Sequence, residues 1–183
     1  WWAQGGTALS SAEVGLGYKT VDDPSAYVAF PLESEPGTSL CVWTTTPWTL
    51  PSNSYAAVRA DVPYATVDAG ERKLVVAEAL VPELAKKLGR ELPIVGTRLG
   101  RELVGLRYAP PFDTYVASHG ALRPELREGG TTPAYFRVLA ADFVTLDSGT
   151  GIVHIAPAFG EDDHGAHVAE LARYADRKST RLN

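Results

Sequence analysis

Short apolar segments, separated by glycine, proline and polar residues, run through most of the chain. Runs this short, bounded by turn residues, are typical of β-strands. Residues 38–43 are nearly all apolar, so we expect that strand to lie in the interior of a sheet. The turn at 68–70 predicts a hairpin between the strands on either side of it. The predicted strands span residues 26–30, 38–43, 56–59, 64–67, 73–77, 135–139, 143–146 and 152–155.

Helical periodicity is concentrated in two segments. In residues 78–88, leucines recur at every fourth position on one face, and Gly89 follows as a capping residue. The second helix is expected to be capped by Asp162 or Asp163 and to run towards Tyr174. Mostly short strands with a few helices predict an α+β fold. Its expected form is a partly closed β-barrel with the helices at the periphery.

Two stretches concentrate the polar side chains that could build a pocket. The first reads WTTTPWTLPSN at residues 43–53, and its two prolines are expected to hold the loop rigid and non-helical. The second reads GTGIVHIAPAFGEDDH at residues 149–164 and delivers an imidazole and three carboxylates from one strand–loop–helix unit. Threonine hydroxyls both donate and accept hydrogen bonds, so a rigid loop of them could hold a polar substrate and a water molecule.

Each of these residues also has a structural interpretation. The threonine hydroxyls could satisfy local backbone groups, and Trp48 could be either a pocket wall or part of the core. A single histidine in an apolar run is more often a buried core residue than a catalytic one. Aspartates at a helix start are more often caps. A metal site is a further alternative, although no recognised zinc spacing is met. Its candidate ligands are His154, Asp162, Asp163, His164 and His167.

Composition narrows the class of protein. The chain has 183 residues, enough for one domain with a real core. Its formal net charge of −5 argues against autonomous, electrostatically driven nucleic-acid binding, but not against a nucleic acid held mainly by other domains. Cys41 is the one cysteine, which rules out an internal disulfide. No signal peptide or long apolar run is evident, so we expect a cytoplasmic protein without membrane contact. The absence of methionine suggests a piece of a longer protein.

The two polar stretches together closely resemble the signature blocks of the editing domain of isoleucyl-tRNA synthetase. The segments 6–10, 21–31 and 105–112 also match, so the resemblance extends from Gly6 to about Tyr174. Sibling domains for valine and leucine carry T-T-R-P where this chain has Thr-Thr-Thr-Pro at 44–47. They also continue G-T-G-A-V where this chain reads GTGIV from Gly149. Both differences favour the isoleucine enzyme, with residues 1–176 as the editing domain and 177–183 as a tail unlike the family.

The resemblance implies hydrolysis of valine wrongly attached to the isoleucine tRNA, with valyl-adenylate as a second candidate substrate. In that scheme Asp163 would pair with the substrate ammonium, and His154 would be the size gate that admits valine and excludes isoleucine. Trp48 would wall the pocket. The remaining expected site residues, which would hold the terminal adenosine and ester and position the attacking water, are Thr44, Thr45, Thr46 and Asn53.

The same resemblance implies the partners. These are the acceptor end of the isoleucine tRNA, valine as the edited amino acid, and the rest of a synthetase with its Rossmann catalytic domain. No cofactor or metal is expected in this domain, because ATP and Mg²⁺ would belong to the parent synthetase, and the chain is expected to be a monomer. Two other functions remain open: a module that binds the tRNA acceptor end without turnover, and a metal-dependent hydrolase.

Overall fold

A computed structural model describes residues 2–17 and 24–175, and the predicted tail at 177–183 lies outside these described residues. The larger sheet has five strands in the order β1-β2-β5-β4-β6. Its β2–β5 pair is parallel and the other neighbouring pairs are antiparallel. These strands are β1 (Ala26–Pro31), β2 (Thr38–Thr44), β4 (Pro63–Asp68), β5 (Lys73–Ala77) and β6 (Ile94–Leu99).

A smaller sheet has three strands in the order β7-β3-β8. Its central strand β3 (Tyr55–Val58) pairs in parallel with β7 (Arg137–Ala140) and antiparallel with β8 (Ile152–Ile155). All of β3 is buried. The larger hydrophobic cluster draws buried residues from both sheets, Val42 and Val76 from one and Ala56 and Ile152 from the other. The core therefore lies between the two sheets.

The α+β class is confirmed, but the partly closed barrel is not. Both sheets are open across the described residues. They meet at single hydrogen bonds in place of a continuous ladder: the Ala77 amide donates to the Thr150 carbonyl over 2.8 Å, and the Tyr64 hydroxyl donates to the Gly151 carbonyl over 2.7 Å. A barrel needs strand pairing all the way around, and isolated bonds of this kind do not supply it.

The helices surround the sheets. The predicted helix at 78–88 is confirmed as a 3₁₀ turn (Glu78–Leu80) that continues into α2, and Gly89 ends it in the left-handed conformation with φ 63°. Leu88 is exposed, so only the first two leucines of that face are buried. No described helix combines the length and the apolar character needed to cross a membrane. The α-helices are α1 (Ser11–Leu16), α2 (Val81–Leu88), α3 (Gly100–Leu103), α4 (Val116–His119) and α5 (Glu161–Ala172).

Three local predictions were wrong. Residues 143–146 form no strand and lie in an irregular turn. The Val144 side chain nevertheless packs in the smaller hydrophobic cluster. The loop expected to be non-helical contains a 3₁₀ helix, Pro47–Ser52, because proline is tolerated at the first position of a helix. Gly160, and neither aspartate, occupies the N-cap of α5. Strand β6 and helix α3 lie in a region for which we made no prediction.

A buried ion pair links β7 to α5. The Arg137 guanidinium contacts the Glu170 carboxylate, and both side chains are almost completely buried. Arg137 also donates to the Pro133 carbonyl over 2.7 Å, and Arg173 donates to Glu170 over 3.0 Å. The pair holds α5, and with it the aspartates of its first turn, against the smaller sheet.

We expect Glu170→Gln to destabilise the fold strongly. The substitution keeps the shape of the side chain but leaves the Arg137 charge buried without its partner, which typically costs about 3–5 kcal/mol. Urea unfolding would measure the change in the free energy of unfolding. Glu128→Gln is the matched control, because Glu128 is exposed and lies 3.8 Å from Arg173, a contact worth at most about 1 kcal/mol. Equal small changes in the two variants would contradict the role given to this pair.

Candidate functional site

The two polar stretches meet around a cavity of about 280 Å³, called here the threonine cavity. The end of β2, the 3₁₀ helix, strand β8 and the first turn of α5 each supply part of its wall. All but one of the predicted site residues line it; the exception is Asn53. Among the described residues, the lining consists of Trp43, Thr44, Thr45, Thr46, Trp48, Thr49, Val153, His154, Phe159 and Asp163.

Two glycines allow β8 to approach the rest of the cavity. Gly149 and Gly151 have φ values of 79° and 68°, so the predicted turn before β8 is confirmed. A Cβ atom on Gly149 would lie 2.5 Å from the Trp43 ring, and one on Gly151 would lie 2.6 Å from the Ala77 Cβ. Both positions therefore require glycine for space as well as for conformation.

The threonine loop is ordered by its own hydroxyls. Thr44 is buried at the end of β2, and its Oγ1 accepts a hydrogen bond from the Thr46 amide over 3.1 Å. The Thr44 and Thr46 hydroxyl oxygens lie 3.4 Å apart. Thr45 and Thr46 are exposed in the cavity wall. The structural interpretation of the loop therefore holds for Thr44, while Thr45 and Thr46 present hydroxyls that a ligand could reach.

His154 is a buried wall of the cavity, 7% exposed and opposite Ala56 in the β3–β8 ladder. Its Nε2 lies 2.9 Å from Thr49 Oγ1. With the Thr49 hydroxyl donating to the Thr46 carbonyl over 2.8 Å, the proton of the neutral ring is assigned to Nε2, which donates to Thr49. Burial lowers the pKa of His154 to about 4, so the ring is neutral at physiological pH. Its buried Nδ1 then remains an acceptor without a partner in the described structure.

Thr49 was not among the predicted site residues. It lies in the first polar stretch, but its spacing from the consecutive threonines gave no sign of a contact with β8. The contact joins the 3₁₀ helix to the strand and fixes the tautomer of His154. Pairing of residues so far apart along the chain is decided by tertiary structure alone.

Asp163 contributes an acidic group at the other end of the cavity. It lies in the first turn of α5, and its Oδ2 accepts a hydrogen bond from the Ala156 amide over 2.9 Å. Burial raises the pKa of the Asp163 carboxyl, the Ala156 bond opposes this shift, and the nearby Asp162 charge adds to it. No lysine, arginine or histidine of the described residues forms a salt bridge with Asp163. A bound cation would therefore be its natural partner.

Two aromatic side chains flank the cavity. Trp48 is 68% exposed and Phe159 is 61% exposed, although both belong to the cavity wall. Of the two interpretations of Trp48, its exposure supports a residue in the wall of the threonine cavity and not a core residue. Phe159 was not predicted as a site residue, although it lies in the second polar stretch. Large apolar rings exposed beside a polar cavity are typical of a binding surface.

Asn53 lies outside the threonine cavity. Its side-chain amide donates to the Tyr55 carbonyl over 2.9 Å, and its Oδ1 accepts from the Tyr108 hydroxyl over 2.7 Å. The residue is 4% exposed and lines a neighbouring cavity of about 250 Å³, called here the aromatic cavity. The lining of the aromatic cavity is Ser52, Asn53, Ser54, Tyr115, His119, Tyr135, Phe136, Pro157, Ala158 and His167.

The candidate metal ligands are not gathered into one site. Across residues 2–17 and 24–175, no group of three or more histidine, cysteine, aspartate or glutamate side chains is arranged to hold a metal ion. His164 is exposed, and His167 Nδ1 lies 3.1 Å from the Tyr55 hydroxyl. Asp162 and His164 line neither of the two cavities.

The threonine cavity therefore combines a neutral imidazole, several hydroxyls and a carboxylate that forms no salt bridge within residues 2–17 and 24–175. Such a set suits a small molecule that carries a positive charge and polar oxygen atoms. Cys41 is buried, and burial raises the pKa of its thiol to about 12, so it is no candidate nucleophile.

Comparison with known proteins identifies relatives along most of the chain. No protein-family model matches it. The isoleucine–tRNA ligase of Mycobacterium tuberculosis is 45% identical over 166 residues, which cover 86% of this chain and 15% of that ligase. The isoleucine–tRNA ligase of Thermus thermophilus is 46% identical over 164 residues, covering 86% of this chain and 14% of that ligase. The chain thus spans about 15% of the length of these curated relatives.

Solved structures share the fold. The crystal structure of GlLeuRS-CP1 matches with a TM-score of 0.57 at 20% identity, covering 74% of this chain and 45% of that one. The Plasmodium falciparum cytosolic leucyl-tRNA synthetase editing domain matches with a TM-score of 0.52 at 13% identity, covering 80% and 53%. Identities this low show likeness of fold alone. The chain is therefore homologous to one segment of the isoleucine–tRNA ligases, and it has the fold of a synthetase editing domain.

Proposed function

We propose that this chain is the editing domain of an isoleucine–tRNA ligase, and that the threonine cavity hydrolyses valine wrongly attached to the isoleucine tRNA. The observation that carries the proposal is the composition of the cavity. A carboxylate that forms no salt bridge with the described part of the chain, a buried neutral histidine and exposed threonine hydroxyls line the same space. The sequence relatives and the shared fold support an editing role in general, and the side chains favour a substrate with an ammonium group and an ester.

The need for such a reaction follows from the limits of hydrophobic recognition. One methylene group changes binding by only about 1–3 kcal/mol, and isoleucine against valine in isoleucyl-tRNA synthetase is itself the standard example of this limit. A pocket built for isoleucine therefore accepts valine too often. A second pocket that accepts valine and excludes isoleucine corrects the error, because it separates the two by size in the opposite direction.

Asp163 is the proposed anchor for the substrate. An α-ammonium group beside its carboxylate would form a charge-assisted hydrogen bond, and partial burial would strengthen that bond relative to water. The bond from the Ala156 amide holds one carboxylate oxygen and so fixes the orientation of the group. Every aminoacyl ester carries the same ammonium, so the anchor would not distinguish valine from isoleucine.

His154 is the proposed size gate. A neutral ring fixed by β8 on one side and by Thr49 on the other presents a rigid wall to an aliphatic side chain. Its low pKa makes it a poor general base at physiological pH, which favours the role of a wall over that of a proton acceptor. Rigidity matters because a wall that moved by the width of one methyl group would no longer exclude isoleucine.

The proposed reaction is attack by water on the ester carbonyl. The water oxygen bonds to the carbonyl carbon, the bond from that carbon to the ribose oxygen breaks, and one proton returns to the ribose oxygen. The products are free valine and uncharged tRNA. Thr45 and Thr46 could position this water and the ester, so that rate is gained from orientation and hydrogen bonding. We assign no general base.

Two other functions would give different measurements. A module that only binds the tRNA acceptor end would show no turnover with valyl-tRNA, whereas an editing domain releases many equivalents of valine. A metal-dependent hydrolase would lose activity with a chelator. Release of amino acid from valyl-tRNA and from isoleucyl-tRNA, both on the isoleucine tRNA and with and without EDTA, separates all three.

Asp163→Asn should lower kcat/KM for every aminoacyl ester alike. The amide can still accept from Ala156, but it no longer offers a charge to the ammonium. Hydrogen bonds to charged groups are worth about 1.5–3 kcal/mol, so we expect a loss of roughly ten- to a hundredfold. Asp162→Asn makes the same charge change one residue away, outside the cavity, and should have little effect. Similar losses in both variants would contradict the anchor.

His154→Ala should broaden specificity. It enlarges the cavity while the anchor stays in place, so isoleucyl-tRNA should be hydrolysed alongside valyl-tRNA. The ratio of the two kcat/KM values is the measurement, and thermal unfolding would verify that the fold is retained. Loss of valyl-tRNA hydrolysis with no gain of isoleucyl-tRNA hydrolysis would refute the gate and would leave His154 as a structural or catalytic residue.

Thr46→Ala and Asn53→Ala should separate activity from stability. Thr46 is exposed in the threonine cavity, so its loss should slow hydrolysis with a change in unfolding free energy within about 0.5 kcal/mol. Asn53 makes two buried hydrogen bonds, so its loss should cost about 1–3 kcal/mol for each group left unpaired. Urea unfolding measures both changes. A strongly destabilised Thr46→Ala variant would support a purely structural loop.

A further inference from the structure

The turn before β8 is attached to the larger sheet at two successive residues. The Ala77 amide of β5 donates to the Thr150 carbonyl over 2.8 Å. Tyr64 of β4 is paired with Ala77 in the ladder, and its hydroxyl donates to the Gly151 carbonyl over 2.7 Å. Residues 149–151 begin the second polar stretch but line neither cavity, so this attachment lies behind the walls of the site.

The Tyr64 hydroxyl also continues the ladder of the smaller sheet. Pairing of β3 with β8 ends at Val58 and Ile152, and the same register extended by one residue would set Arg59 opposite Gly151. At this place the Arg59 amide donates to the Tyr64 hydroxyl over 2.9 Å, and that hydroxyl donates to the Gly151 carbonyl. A side chain of the larger sheet is therefore inserted between the ends of two strands of the smaller sheet.

Tyr64 holds its hydroxyl in a fixed place. The residue is completely buried, and its backbone pairs with Ala77 on one side and with Arg98 on the other. Its ring lies against Gly100, where a Cβ atom would be 2.9 Å from Tyr64 Cε2 and would overlap the Arg59 carbonyl oxygen. The position of the hydroxyl is thus set by the larger sheet and by the close packing around the ring.

Thr150 shapes the turn from within. It is 1% exposed, and its Oγ1 accepts from the Ile152 amide over 3.3 Å and donates to the Ile152 carbonyl over 3.2 Å. Such local bonds from a threonine hydroxyl replace backbone pairing where a chain turns. The first residue of β8 is therefore held by Thr150, and the turn itself by Tyr64 and Ala77.

The geometry of the threonine cavity depends on this attachment. The threonine loop follows β2 in the larger sheet, whereas His154 belongs to β8 in the smaller one. Strand β8 packs against β2, and His154 lies three residues after Gly151. A shift of the turn is passed along the strand to the ring. The separation between His154 and the threonine loop therefore depends on where the larger sheet holds the turn.

We propose that Tyr64 is a positioning residue for the size gate: its hydroxyl sets the depth at which β8 holds His154 against the threonine loop. This inference rests on the proposed function, because it assumes that His154 separates valine from isoleucine. Tyr64 lines neither cavity, so it acts through the turn and the strand. Selectivity is the property it controls, because a displaced gate admits a larger side chain while Asp163, on α5, keeps its place.

The test uses the full chain and a matched pair of variants. Tyr64→Phe removes the hydroxyl and keeps the ring. Tyr174→Phe is the control, since Tyr174 is also completely buried, its hydroxyl lies 3.5 Å from the Ala134 carbonyl, and it lines neither cavity. The readouts are kcat/KM for valyl-tRNA and for isoleucyl-tRNA, both on the isoleucine tRNA, urea unfolding, and the NMR signals of the His154 ring nitrogens.

We expect Tyr64→Phe to lower the ratio of the two kcat/KM values, valyl over isoleucyl, by roughly three- to tenfold, which is part of what one methylene group can contribute. The His154 nitrogen signals should shift, because the ring moves relative to Thr49. Tyr174→Phe should keep the ratio and the signals of the wild type. A lower urea midpoint in Tyr64→Phe with both readouts unchanged would show a purely structural residue and would overturn the proposal.

A second pair of variants tests the same turn if Tyr64→Phe fails to fold. Thr150→Val removes the hydroxyl and keeps the branched shape, whereas Thr150→Ser keeps the hydroxyl. The valine variant should lower the selectivity ratio, and the serine variant should retain it. Equal ratios in the two variants would overturn the proposal, because the bonds that hold the start of β8 would then have no influence on the gate.

Failure of the positioning role and failure of the proposed function are distinguishable. Wild-type hydrolysis of valyl-tRNA with an unchanged ratio in Tyr64→Phe would overturn the positioning role alone. Absence of wild-type hydrolysis would overturn the proposed function. In that case, shifted His154 signals in Tyr64→Phe but not in Tyr174→Phe would still support the coupling of Tyr64 to His154, and unshifted signals would overturn it as well.

Discussion

The placement of both cavities depends on the hydrogen bonding of strand β3 along its two edges. Strand β3 is buried over its whole length and pairs with β7 on one edge and with β8 on the other. The register with β8 sets His154 opposite Ala56. Just before the strand, the Ser54 amide donates to the Ile155 carbonyl, and the Ser54 carbonyl accepts from the Phe136 amide. The chain leading into β3 therefore fixes one wall of each cavity.

Helix α5 carries two acidic residues with different environments, Glu170 and Asp163. The buried Arg137–Glu170 pair stabilises the attachment of α5, whereas Asp163 on the same helix forms no salt bridge in the described structure. Burial acts on both titratable residues of the threonine cavity in the same sense, since it disfavours the charged form of His154 and of Asp163. A cation bound near Asp163 would stabilise the charged form of the carboxylate, whereas an uncharged group suits the neutral ring of His154.

Hydrogen bonds between side chains and backbone join the separate walls of the threonine cavity, as the proposed size selection requires. The Thr49 hydroxyl links the 3₁₀ helix to β8, and the Thr44 hydroxyl links the end of β2 to that same helix. Asn53 makes a separate pair of buried bonds beside the aromatic cavity, donating to the Tyr55 carbonyl and accepting from the Tyr108 hydroxyl. Asn53 thus holds the chain in place through buried hydrogen bonds, a structural part within the first polar stretch.

The sequence by itself determined the α+β class, most of the strands, the first long helix and most of the residues that line the threonine cavity. The elements follow from local patterns, in which apolar runs, prolines and glycines act on their immediate neighbours, whereas the cavity residues were identified by the resemblance of the two polar stretches to known signature blocks. Tertiary structure decided what such patterns do not encode. Across the described residues both sheets are open, and residues 143–146 pair with no strand. Asn53 lies in a second cavity. Tertiary structure also brought Thr49 to His154 and gathered Tyr115, His119 and Tyr135 into one wall, because contacts between distant segments depend on how the sheets pack and not on residue spacing.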